Sequence, residues 1–175
     1  MEVIQQKHGI QPVQSRGLEI LPSVDRVWRT PEPGKKEVVD LSVTMTNRTK
    51  QEFCLDMWSG VGAQLRDDQG VMVDSVGWTN GWGGGCLSVK PGGVESIRFK
   101  SHLELSSDGK NICLLTMDPN NGFWSAFRNL KRGRYYINFC HCEGQLYRNI
   151  PNPTWNQIPV WTGGIESYYL PIDIR

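Results

Sequence analysis

A Cys-His-Cys triplet is the nearest approach to a metal-binding motif in this chain. Cys140 and Cys142 flank His141, and thiolates and imidazole are ligands that zinc prefers. We predict a β-strand here, so neighbouring side chains point to opposite faces and cannot all reach one ion. Zinc would need further ligands, such as Cys54 or Cys113. We predict no metal site and no cofactor, with two buried or half-buried thiols beside a surface histidine. A disulfide from Cys140 or Cys142 to a neighbouring strand is the alternative.

Residues suited to nucleophilic or acid-base catalysis are sparse. The histidines are His8, His102 and His141, and no Gly-x-Ser-x-Gly elbow accompanies them. Residues 118–122 read DPNNG, which is too short for a calcium-binding loop and lacks its final glutamate, so we interpret them as a turn. Gly83–Gly85 lack the lysine and hydroxyl residue that complete a phosphate-binding loop. We therefore expect a protein that is not an enzyme.

The aromatic residues are the better indication of a binding site. The chain has 7 tryptophans among 175 residues, and several lie in segments that we predict to be loops. Aromatic side chains exposed on loops are common at recognition sites. We predict that Trp78, Trp82, Tyr147 and Trp155 form the binding site at one rim of the fold. The alternative is that these rings cap the open end of the core. Three other tryptophans adjoin predicted strands and are expected in the core: Trp28, Trp58 and Trp124.

Composition limits the class of partner. The formal net charge is +1, so no strong field attracts nucleic acid or an anionic membrane. Hydrophobic residues make up 38% of the chain, which is ordinary for a folded domain, and no apolar run is long enough to span a bilayer. The length suits one domain with a sizeable core. We predict an N-terminal arm over residues 1–16, as a loose or edge segment, and a single domain over residues 17–175.

The cysteines and the N-terminus bear on the compartment. The cysteine count is 5, and an odd, scattered set indicates reduced thiols rather than a disulfide network. The first residues lack the basic start, apolar run and cleavage site of a secretory signal. We expect a cytoplasmic protein, or a secreted one if a signal was removed.

Strand signals dominate the chain. Leu41, Val43 and Met45 alternate with Ser42 and Thr44, which is typical of a half-buried strand. The further predicted strands and hairpins cover 18–24, 53–57, a hairpin around Asp67–Gly70, 86–89, 94–105, 112–117, 134–142 and 168–174. Such spacing of short strands and turns predicts an all-β, immunoglobulin-like antiparallel β-sandwich with long loops.

Other segments predict local features. The glycine-rich stretch 76–85 is expected to be a loop, as is 143–160. Residues 123–127 are the only place where a helical turn fits. Tyr135 follows a glycine turn at the start of an alternating strand, which predicts a tyrosine corner: a buried ring whose hydroxyl bonds the preceding backbone.

Four blocks, each a strand followed by a turn, carry a family resemblance: Leu41–Asn47, Leu65–Val71, Leu87–Gly92 and Leu130–Phe139. In these blocks the chain resembles immunoglobulin-like domains of the bacterial intracellular proteinase inhibitor type. The resemblance implies the sandwich fold and a protein-binding role. Residues 103–129 look like an insertion and residues 143–175 an extension. No reactive-loop motif matches, so no inhibitory residues transfer.

The resulting functional hypothesis is a non-enzymatic protein-interaction module that binds through aromatic loops. An inhibitor-like domain is one form that such a module takes. A carbohydrate-binding or accessory β-sandwich domain is the second hypothesis, because the same rings can stack on sugar faces. A metal-dependent enzyme built around Cys140 and Cys142 is the third.

Overall fold

A computed structural model describes residues 11–56, 60–79, 85–119, 122–141, 151 and 153–175. Within these ranges the chain is an all-β sandwich, as the sequence predicts. No helix in this part of the chain is long and apolar enough to cross a membrane. The strands are β1 (Val13–Ser15), β2 (Leu18–Val24), β3 (Val27–Trp28), β4 (Lys36–Val38), β5 (Leu41–Asn47), β6 (Phe53–Asp56), β7 (Gly62–Asp67), β8 (Ser75–Thr79), β9 (Cys86–Val89), β10 (Val94–Leu105), β11 (Ile112–Met117), β12 (Phe123–Leu130), β13 (Gly133–His141), β14 (Thr154–Trp155), β15 (Ile158–Pro159), β16 (Ile165–Glu166) and β17 (Leu170–Ile174).

The larger sheet has the order β1-β2-β5-β10-β11-β12-β8, and β4 continues the β5 side of β10. The smaller sheet has β13 at its centre, with β7 on one side and β17 on the other. β3 pairs with β17 in parallel, and β16 pairs with the far end of β13. Two short pairs, β6–β9 and β14–β15, lie outside both sheets.

The core lies between the two sheets. Leu41, Val43 and Met45 of β5 are fully buried, because their alternation directs all three to the same face. From the smaller sheet, Phe139 stacks on Phe99 of β10 with ring centroids 5.4 Å apart. Trp28, expected in the core, is buried there with 1% of its surface exposed.

The tyrosine corner is confirmed. Tyr135 is buried, and its hydroxyl accepts a hydrogen bond of 3.0 Å from the backbone N–H of Lys131. This bond fixes the turn between β12 and β13. The wider assignment to the immunoglobulin-like class stays a prediction.

We expect Tyr135→Phe to lower the free energy of unfolding by about 1 kcal/mol, because the Lys131 N–H loses its acceptor. Urea unfolding followed by fluorescence measures the change. Tyr168→Phe, at a side chain 54% exposed, is the matched control and should leave stability unaltered. Equal stabilities for the two variants would contradict the corner's role.

Several local predictions are wrong in the described residues. Residues 75–79, expected to be part of a glycine-rich loop, form β8 because they pair in register with β12. Residues 123–127, expected to allow a helical turn, lie in β12, where Phe127 is buried opposite Leu114. In both segments, pairing with a neighbouring strand of the sheet decides the structure.

Three further segments take part in strands. The stretch 103–129, which the family resemblance marks as an insertion, supplies consecutive strands of the larger sheet. Residues 154–159 of the predicted loop form a hairpin. In the N-terminal segment 1–16, predicted to be a loose arm or an edge segment, Val13–Ser15 form an edge strand joined to β2 by a tight turn. That turn needs left-handed backbone at Arg16 and Gly17 (φ 44° and 78°), and a Cβ at Gly17 would lie 2.2 Å from Thr49.

Candidate functional site

A cleft of about 400 Å³ opens where the β5–β6 turn meets the segment after β15. We call it the end cleft. Its lining combines charged, polar and aromatic residues from three distant parts of the sequence: Arg16, Thr49–Phe53 and Pro159–Thr162. Among these, Arg16 and Lys50 are exposed, whereas Phe53 and Trp161 are buried and form its apolar part.

The segment that carries Trp155 is a tight hairpin. Trp155 pairs with Ile158, and the turn residues Asn156 and Gln157 have φ of 47° and 70°. Two successive positive φ values define the turn type whose twist matches a β-hairpin. The N–H of Val160 donates to the carbonyl of Pro153 at 2.8 Å and closes the base of the hairpin. Trp155 is therefore held on a short, defined support.

The hairpin is anchored to β6. Val160 forms a parallel bridge with Cys54, and the N–H of Trp161 donates to the Cys54 carbonyl at 2.8 Å. The indole Nε1 of Trp161 donates to the Arg16 carbonyl at 3.2 Å. In return, the Arg16 guanidinium donates to the carbonyl of Thr162 at 2.9 Å. These bonds fix both walls of the end cleft.

A buried asparagine orders the opposite wall. Asn47 is fully buried, and its side-chain amide donates to the carbonyls of Gln51 and Val89, each at 2.8 Å. Its side-chain oxygen accepts from the Thr49 N–H at 2.8 Å. One side chain thus satisfies the β5–β6 turn and ties it to β9, which is the role asparagine often has in turns.

Cys54 and Cys86 form a disulfide between β6 and β9, with a Cα–Cα distance of 5.3 Å. The prediction of reduced thiols rather than a disulfide network is wrong for this pair. An odd count leaves at least one thiol unpaired, but it does not prevent two cysteines on paired strands from meeting. Cys113 has a free thiol, whose pKa is raised by burial.

The predicted binding residues fall on different elements. Trp155 is half-buried on β14 and does not itself line the end cleft; Pro159, the residue after its strand partner Ile158, does. The backbone of Trp78 lies in β8, opposite Trp124 of β12, and β8 is at the other end of the strand order from β1. Trp82 and Tyr147 lie outside the described residues. The common rim for all four stays a prediction.

His141 is not on the surface as expected. It is 2% exposed, its Nδ1 lies 2.8 Å from the carbonyl of Gly60, and its ring lies 5.6 Å from that of Trp161. A carbonyl can only accept, so Nδ1 carries the proton. Burial lowers the pKa of His141, opposed by the Gly60 carbonyl and the charge of Asp56. The imidazole is therefore held neutral near pH 7.

Within the described residues, the Cys-His-Cys triplet does not form a metal centre. Cys140 is half-buried, His141 is turned into the core, and Cys142 lies outside the described residues. Among the residues that the structure describes, no three His, Cys, Asp or Glu side chains are grouped to hold an ion.

Acidification is expected to destabilise the protein through His141. Its folded pKa is lowered, whereas the unfolded value is about 6.5, so the unfolded state binds more protons below that pH. The free energy of unfolding should fall as the pH drops from about 7 to about 5. Urea titrations across this range measure the slope, and His141→Gln should flatten it.

The matched control is His102→Gln. His102 also has a pKa lowered by burial, but 16% of its side chain is exposed, so its contribution to the slope should be smaller. A slope in His141→Gln as steep as that of wild type would contradict the assignment.

Comparisons with known proteins identify no family. No family model matches the chain, and no curated protein matches it. One solved structure with some likeness is a β-glucosidase from Listeria innocua in complex with gluconolactone. It shares 8% identity, with a TM-score of 0.37, over 90% of this chain and 16% of the enzyme's chain. A likeness this low carries no argument about fold or activity, and this chain spans only a small part of that enzyme's length.

Proposed function

We propose that the protein is a non-enzymatic interaction module that binds a protein partner through Trp155 on the β14–β15 hairpin together with the end cleft at the base of that hairpin. The observation that carries the proposal is the presentation of Trp155, half-buried on a tight hairpin whose base is bonded to β6. Tryptophan combines a large apolar surface with a donor and is enriched at the centre of protein interfaces.

The support around Trp155 favours binding. The Cys54–Cys86 disulfide joins β6 to β9, and Asn47 ties the neighbouring turn to the same strand. A rigid support limits the entropy lost when two surfaces associate. Exposed charges of Arg16 and Lys50 at the mouth of the end cleft supply a polar rim.

The disulfide also bears on the compartment. Structural disulfides persist in oxidising surroundings and are rare in the cytosol. We therefore propose the secreted alternative over the cytoplasmic one. A fusion reporter for compartment, tested in the native cell, distinguishes them.

The test begins with the full chain immobilised in extract from the native cell. The captured partner is purified, and its affinity for wild type, Trp155→Ala and Lys50→Glu is measured by calorimetry. Interface hot spots, among which tryptophan is enriched, cost about 2 kcal/mol or more on truncation, so we expect at least about tenfold weaker binding by Trp155→Ala.

Trp124→Ala is the control, because Trp124 lies on β12 of the larger sheet and belongs neither to the hairpin that carries Trp155 nor to the lining of the end cleft. It should bind the protein partner as wild type does. If Trp155→Ala and Lys50→Glu both bind the purified partner with wild-type affinity, the end cleft is not the protein-binding site.

A further inference from the structure

One edge of the larger sheet is open. β8 is the last strand in the sheet order, and it pairs on one side with β12, where Trp78 lies opposite Trp124. Trp124 was expected in the core and is half-buried instead. Within the described residues, no strand pairs with the other side of β8. Ser75, Val76 and Gly77 are all exposed, and Gly77 has only backbone to expose. This edge therefore presents backbone N–H and C=O groups that can pair with another strand.

The other edges of the same sheet are protected. Edge strands are usually blunted by short length, charged side chains or proline, because an open edge pairs with other chains. β1 has only three residues, and where β2 extends past β1 it contains Pro22. β4 is equally short and carries Lys36 and Glu37. By contrast, β8 has five residues, Ser75–Thr79, without a charge or a proline.

Exposed apolar side chains gather at the same edge. Eight large apolar side chains are exposed in the described residues, and three of them fall within six positions: Val71, Met72 and Val76. Met72 forms an antiparallel bridge with Arg66 of β7, so the segment 71–79 borders the smaller sheet first and then the larger one. A local concentration of exposed apolar residues marks a contact surface.

We propose that β8 is a self-association edge, to which a second copy of this chain adds its own β8, antiparallel about a twofold axis at Gly77. In this register Ser75 of one copy pairs with Thr79 of the other, and Val76 pairs with Trp78. A β-branched residue opposite an aromatic one is a favourable cross-strand pair, and the twofold axis forms that pair twice. The sequence of β8 is thus complementary to itself.

Charge favours a second copy over a charged partner. β8 contains no ionisable residue, and the formal net charge of the chain is +1, so two copies repel each other weakly. Asp74 precedes β8 and is exposed. In the antiparallel pair the two Asp74 positions lie on opposite sides of the Gly77 axis, about 20 Å apart, where salt screens their repulsion. Like charges therefore do not meet in this arrangement.

The expected dimer is reversible. Two paired strands of this length make a small interface, below the roughly 1,200 Å² of stable complexes, so we expect a Kd of about 100 µM. The dimer carries two copies of the hairpin with Trp155 and can engage two sites on one partner. The inference itself does not depend on protein binding at the end cleft.

Sedimentation equilibrium of the full chain, from about 10 µM to about 1 mM, measures the self-association. Wild type should change from monomer to dimer over this range. Val76→Lys and Val76→Glu should each weaken the dimer by about tenfold or more, because the axis places two like charges diagonally across the paired strands. An equimolar mixture of the two variants should recover the dimer, because opposite charges then face each other.

Hydrogen exchange gives a second measurement that needs no variant. Amides within Ser75–Thr79 should exchange more slowly at about 1 mM than at about 10 µM, because the outward ones become bonded only in the dimer. Val94→Lys is the matched control for the variants, because Val94 is 57% exposed on β10 and has no part in β8 pairing. It should dimerise as wild type does.

The proposal is overturned if wild type stays monomeric up to about 1 mM, or if folded Val76→Lys dimerises as wild type does. It is also overturned if the mixture of Val76→Lys and Val76→Glu stays monomeric. A dimer lost in Trp155→Ala and kept in Val76→Lys assigns self-association to the hairpin instead. A monomeric chain whose purified protein partner is lost in Val76→Lys assigns the β8 edge to that partner. The Trp155 test of the proposed function is unaffected by failure of the dimer.

Discussion

Replacement of Phe139 by alanine is expected to lower the free energy of unfolding by about 3–5 kcal/mol. Phe139 is fully buried in β13 and stacks on Phe99 of the other sheet. Truncation removes apolar surface from the interface between the sheets and leaves a cavity that flanking strands, fixed by their hydrogen bonds, cannot fill. Urea unfolding at neutral pH measures the loss.

The matched control for Phe139→Ala is Val94→Ala, at the first residue of β10. Val94 is 57% exposed, so the change in stability should stay within about 0.5 kcal/mol. A loss at Phe139 no larger than that at Val94 would show that the two sheets do not share this packed centre.

Removal of the Cys54–Cys86 disulfide has the second largest expected effect. The bonded residues are 32 apart in sequence, and the loop-entropy estimate for such a crosslink is about 3.5 kcal/mol. The double variant Cys54→Ser, Cys86→Ser should be destabilised by this order, and reductant should destabilise wild type similarly. Thermal melts with and without reductant provide the measurement.

Cys113→Ser provides the control for the disulfide, because Cys113 has a free thiol. This variant should remain as sensitive to reductant as wild type, whereas the double variant should be insensitive. A wild-type melt unchanged by reductant, or a peptide map that does not join Cys54 to Cys86, would contradict the bond.

Strong alternation made the best strand predictions possible. β5 carries apolar residues at every second position from Leu41 to Met45, and β10 does so from Ile97 to Leu105 except at Ser101. The predicted bounds of β10, Val94–Leu105, match the structure. Each of these strands buries one face, and a period of two follows directly from strand geometry. Tyr135 was predictable because its turn and strand are adjacent in sequence.

Prediction failed where partners are far apart in sequence. β8 contains a glycine and lies in a glycine-rich context, and β12 mixes small, polar and aromatic residues. Neither has a clear local preference, so each becomes a strand only through its neighbour in the sheet. The end cleft was missed for the same reason, because Arg16 and Trp161 meet only in the folded chain.

His141 could have been placed correctly from the sequence. Tyr135, Ile137 and Phe139 are the apolar positions of β13, and His141 continues their period of two. The same parity that buries these three directs the imidazole inward. The expectation of a surface histidine followed residue type, whereas strand geometry decides the face.

The parallel pairing of β3 with β17 has a consequence for synthesis on the ribosome. Val27 and Trp28 find their strand partners at Asp173 and Ile174, so this N-terminal segment cannot complete its sheet until translation has passed residue 174. Until then Trp28 lacks its strand partner, and the nascent chain exposes apolar surface of the kind that chaperones recognise. The smaller sheet is therefore completed only after translation of these residues.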